Sequence, residues 1–113
     1  MKAARDEGSR GTTASPVAVL TPSADEGLRR AGLRYLLIRL EYSRGPCPDD
    51  WCPLIPRVVV EPSGEEPGEQ YAELRGHGGV FVARRLLRSI RAGTLVIDFR
   101  RGRFLVKGSP FEL

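Results

Sequence analysis

Gly76-His-Gly-Gly79 is the sharpest local motif in the chain. Glycines let a backbone approach a ligand closely, and free amides at a helix start attract anions. The motif therefore describes a seat for a phosphate or carboxylate if a helix follows it. A tight turn is the simpler reading of the same glycines. His77 is the single histidine. Histidine is a residue type that can carry protons in catalysis, but no serine or cysteine adjoins it as a nucleophile, so it reads as a loop histidine. Nothing combines a nucleophile, a base and an orienting group, and no enzyme is expected.

Cys47 and Cys52 are the only thiols. A structural zinc site takes four N or S ligands, and Cys47, Cys52, His77 and carboxylates such as Asp49 fall short of that within one chain. Two reduced cysteines flanking Trp51 in a proline-stiffened loop are the expected state, with a site shared between two copies as the alternative. No cofactor and no metal are expected.

The cations offer a different chemistry. The chain has a net charge of +4 and 16 of its 18 basic residues are arginine. Residues 1 to 70 carry nine basic against eleven acidic side chains, whereas residues 71 to 113 carry nine against three. Charge polarised in this way implies that the C-terminal part faces an anion, either nucleic acid or an acidic protein surface. Arg84, Arg88, Arg91, Arg100, Arg101 and Arg103 are the candidate phosphate-gripping residues, with Gly76, His77, Gly78 and Gly79 as the candidate anion-binding loop. Phe99 and Phe104 flank the arginines and could stack on bases, but their alternation with Ile97 and Val106 makes them core residues first.

The elements that would position these groups follow from pattern. At 113 residues, 41% hydrophobic and 28% charged, the chain fits one domain with one small core. Residues 1–22 read as a flexible N-terminal arm, with Val17 to Leu20 at most a short strand on a sheet edge. Residues 23–113 read as a single α+β domain. Ser23-x-x-Glu26 predicts a helix start. Gly32 then serves as a left-handed C′ residue and Arg34 to Tyr42 as a strand with Leu36, Ile38, Leu40 and Tyr42 on one face. Arg57 to Glu61 is β-branched and reads as a strand, followed by an acidic loop. Gln70 to Arg75 is too short to type.

Across 79–92, Val82, Ala83, Leu86, Leu87 and Ile90 span an arc of roughly 140° with arginines opposite, which predicts a core-facing amphipathic helix capped by Gly93. A C-terminal β-hairpin follows. Its alternation favours pairing Phe99 with Phe104 and Ile97 with Val106. A three-residue loop ending in Gly102 suits the turn chemistry but shifts that register by one.

The order helix, strand, strand, short segment, Gly-x-x-Gly, helix, strand over about 24 to 99 is similar to that of the type II KH domain. That resemblance is one of element order. It implies RNA binding in which Gly76-His-Gly-Gly79 grips the nucleic-acid backbone. The pattern departs at Leu74-Arg75 and at Arg85, where KH domains carry aliphatic residues.

The expected fold is a small α+β domain with a mixed or antiparallel sheet of three to five strands, backed by the 79–92 helix. The expected function is a non-catalytic basic module binding nucleic acid through its phosphates. The alternative is a protein-interaction or assembly subunit, including a homo-oligomer, whose basic face docks an acidic surface. No apolar run approaches the ~20 residues that cross a bilayer. No signal-peptide pattern is read, Asp6 and Glu7 argue against a transit peptide, and a cytoplasmic protein is expected.

Overall fold

Val17–Leu20 forms the first strand, β1, and Thr21 ends it by capping the helix that follows. The computed structural model describes residues 16–44, 54–108 and 110–113. In helix α1, Pro22–Ala31, the Thr21 side chain accepts from the Ala24 amide and Pro22 occupies the first turn, where no amide partner is needed. The cap therefore sits two residues before the expected Ser23, whose hydroxyl instead donates to the Phe99 carbonyl. Gly32 closes the helix at φ 70°, as its sequence position predicts.

The expected strand after Gly32 is β2, Tyr35–Arg44, with Leu36 and Ile38 fully buried. It pairs antiparallel over ten residues with β3, Leu54–Ser63. β3 tolerates Pro56 and Pro62 because it is an edge strand. The two prolines share parity, so both missing amides face away from β2.

The chain then makes two very short strands, β4 Tyr71–Glu73 and β5 Arg75–Gly76, separated by the buried Leu74. Next comes β6, Val80–Ala83, and a 3-10 turn, Arg84–Ser89. Finally β7, Thr94–Arg100, and β8, Arg103–Val106, form the C-terminal hairpin.

The described strands assemble into two four-stranded mixed sheets, ordered β5-β1-β7-β8 and β3-β2-β6-β4. This replaces the single sheet of three to five strands. It also corrects the expected helix over 79–92. All four residues of β6 are buried, because it lies between β2, in parallel, and β4, antiparallel. A strand covered on both faces reads as an unbroken apolar run, which periodicity does not separate from the start of a helix. Only the second half coils, and it does so as a 3-10 turn anchored by the buried Leu86.

β1 departs from expectation as well. It is an interior strand between β5 and β7, with Ala18 1% exposed. The part of the expected arm at 1–15 lies outside the described residues, as do Cys47, Asp49, Trp51 and Cys52.

One core lies between the sheets. Ala18, Leu95 and Ile97 enter it from the first sheet, Leu36, Ile38, Val80 and Val82 from the second, and Ala24 and Leu28 from α1. The hairpin adopts the even register, with Phe99 opposite Phe104 and Ile97 opposite Val106. Its loop is Arg101-Gly102, with φ 52° and 76°, the left-handed pair of a type I′ turn.

Candidate functional site

The Gly76–Gly79 segment is a crossing between sheets. β5 leaves the second sheet to pair in parallel with β1, and β6 returns to pair with β2. At Gly76, φ 102°, a Cβ would lie 2.5 Å from the Ala18 carbonyl oxygen. At Gly79, φ 93°, it would lie 2.6 Å from that of Arg34. Both positions require glycine for close backbone passage.

Two of the loop's four amides are already engaged. His77 donates to the Ala18 carbonyl at 3.1 Å and Gly79 to the Glu73 carboxylate at 3.3 Å. A strand follows instead of a helix, so the dipole on which the anion seat was premised is missing, and so is the element order shared with KH domains. The His77 ring lies against the Gly78 carbonyl, with Nε2 3.7 Å from Asp25.

The six candidate arginines divide. Arg84 donates through Nε to the Glu69 carbonyl at 2.6 Å and, with Arg85, opens beside Tyr71 and Ala83 of the second sheet. Arg91 pairs with Glu112, and Arg88 is exposed on the 3-10 turn. Arg100, Arg101 and Arg103 lie at the hairpin tip. That tip is at the far end of β7, six residues or about 20 Å at ~3.3 Å per residue from Thr94, the end that Arg91 precedes by three residues. They form two separate groups.

Strand parity defines a better surface. On the first sheet Ala18, Leu95, Ile97, Phe99, Phe104 and Val106 turn inward. The opposite face carries Val17, Val19, Thr94, Val96, Asp98, Arg100, Arg103 and Leu105, with Arg75 beside Val17 in register and Lys107 alongside Val96. Val19 is 43% exposed, and Val17, Val96 and Leu105 are half-buried. An aliphatic strip therefore runs across three strands, β1, β7 and β8, and Arg75, Arg100, Arg103 and Lys107 surround it. Thr94, Val96 and Lys107 also line an open depression of about 440 Å³ with Ala92, Gly108 and Pro110.

One acid interrupts the cations. Asp98 is 6% exposed and accepts from the Thr21 hydroxyl at 2.7 Å and from Arg100 Nε at 2.9 Å. These bonds, the Thr21 hydroxyl foremost and then the Phe99 amide, hold its carboxyl below the usual carboxylate range. Among the described residues Arg75, Arg101, Arg103 and Lys107 form no ion pair. The outer face of the second sheet differs. There Arg39 is held by Glu61 and Glu41, and the Glu61 hydrogen bond raises its affinity for the proton further.

Arg100 and Arg103 are among the candidates read from the sequence, and the structure places both on this face. Arg75 and Lys107 are not among those candidates, because their place on this face depends on pairing with β1 and β7. The period-two run Thr94, Val96, Asp98, Arg100 was the available signal. Phe99 and Phe104 pack on each other at 4.7 Å inside the fold and present no stacking surface.

No helix among the described residues is long and apolar enough to cross a membrane. Comparison with known proteins finds no matching family model, curated protein or solved structure.

Proposed function

We propose that the chain is a non-catalytic binding module whose recognition surface is the outer face of the first sheet, and whose partner is an acidic protein surface with an apolar centre. The observation that carries this reading is the aliphatic strip Val17, Val19, Val96 and Leu105 inside a rim of Arg75, Arg100, Arg103 and Lys107. Protein interfaces have this anatomy of apolar centre and polar rim. The rim charges contribute only ~0–1 kcal/mol each, so they steer and orient, while burial of the strip supplies affinity at roughly 25 cal/mol per Å².

Nucleic acid is the second reading, favoured by Arg101 on the two-residue turn with Arg100 and Arg103 flanking it. A phosphate backbone would engage Arg100, Arg101 and Arg103 and leave the aliphatic strip uncovered.

Val19→Ser separates the two readings, measured with a labelled acidic amphipathic peptide and a labelled DNA duplex as probes. The peptide is expected to bind the wild type in a salt-dependent manner and to bind the variant several-fold more weakly. Duplex binding that the variant leaves unchanged, with no peptide binding, would transfer the function to nucleic acid.

A further inference from the structure

Resting on the reading of the first-sheet face as a protein-docking surface, we infer that its partner is a second copy of this chain, which supplies the acidic loop between β3 and β4. That loop carries Glu65, Glu66 and Glu69, all exposed, and Glu73 lies just beyond it. Among the described residues none of the four is ion-paired. The loop is shaped by its own bonds. The Ser63 hydroxyl donates to the Glu65 carbonyl and accepts from the Glu65 amide, and the Tyr71 amide donates to the Gly68 carbonyl. Half-buried Pro67 stands between the carboxylates. Carboxylates around an apolar residue on the loop match cations around an apolar strip on the sheet, the pattern by which interfaces set register.

Size determines the form of the assembly. The four strands hold 17 residues between them, which at ~3.3 Å rise and ~4.8 Å spacing present roughly 270 Å². A stable interface buries about 800 Å² per partner. One loop on one face is too small. A two-fold pair, in which each copy gives its loop and receives the other's, doubles the contact and closes the assembly.

The test is sedimentation velocity of the full chain over micromolar concentrations at low and high salt. The wild type is expected to dimerise at low salt, with association about tenfold or more weaker at high salt. Arg75→Glu with Arg103→Glu should give a monomer, and so should Glu65→Arg with Glu66→Arg. An equimolar mixture of these two variants should recover a dimer, since both reciprocal contacts are then again of opposite charge. Recovery also shows that neither variant is misfolded.

A wild type that stays monomeric at low salt, or a dimer that survives the Arg75/Arg103 reversal, overturns the inference. A monomer that still binds the acidic peptide sinks the self-pairing alone and leaves the docking face standing. A monomer that binds neither peptide nor copy sinks both.

Discussion

Asp98 is the one buried charged side chain among the described residues. It sits where two elements meet. The Thr21 hydroxyl that donates to Asp98 also accepts from the Ala24 amide, so one hydroxyl joins the sheet carboxylate to the helix cap. Arg100 completes the set and aims its guanidinium along the outer face. The folded protein favours the ionised carboxyl, and its pKa is lowered chiefly by the Thr21 hydrogen bond. The sign follows from linkage. The stabilisation is fully present above the unfolded value of about 3.9 and is lost as pH falls through the lower folded value. Asp98→Asn is expected to lower the urea midpoint at neutral pH and to flatten the decline in stability below about pH 4. An acid limb that matches the wild type would refute the role assigned to this carboxyl.

Gly27 shows how an element is tuned by its neighbour. Inside α1 a glycine costs ~1 kcal/mol against alanine, so alanine should stabilise the helix. Yet a Cβ at this position would lie 3.0 Å from Cγ of Phe99. That ring is braced by Phe104 in the even-register hairpin. Overpacking of this kind costs ~1–3 kcal/mol, which outweighs the gain. Gly27→Ala is therefore expected to destabilise by about 1 kcal/mol, and to cost less when Phe99 is also leucine. Chemical denaturation of the two variants and of Phe99→Leu alone decides it, and a stabilised single Gly27→Ala variant would sink the idea.

The same elements show what pattern carries and what it does not. β2, the end of α1 at Gly32 and the C-terminal hairpin are written locally, in alternation and turn residues. The Arg100 and Arg103 end of the proposed docking face is legible for the same reason. β6 was hidden because burial on both faces erases alternation. The strand β1 is legible as Val17 to Leu20, but its interior position comes only from distant partners, and the place of Arg75 beside it is hidden for the same reason.

At the scale of the molecule, neither sheet has a core of its own. The first brings Ala18, Leu95 and Ile97, the second Leu36, Ile38, Val80 and Val82, and they merge into one cluster. The pairing that joins β1 to β7 is remote in sequence, with Val17 beside Thr94 across 77 positions. Leu74 lies where the chain crosses from one sheet to the other. It is 4% exposed within that cluster, and its amide donates to the Val80 carbonyl at 2.8 Å. Truncation there opens a cavity that both sheets line, and a buried leucine cut to alanine costs about 2–5 kcal/mol. Because the cluster is shared, the loss should be felt by both sheets together. Leu74→Ala is expected to lower stability by about that amount in a single unfolding transition. Far-ultraviolet circular dichroism and hydrogen exchange of β1 and β2 amides should change at the same denaturant concentration. Separate midpoints for β1 and β2 would show two independent sheets and overturn the single-core account.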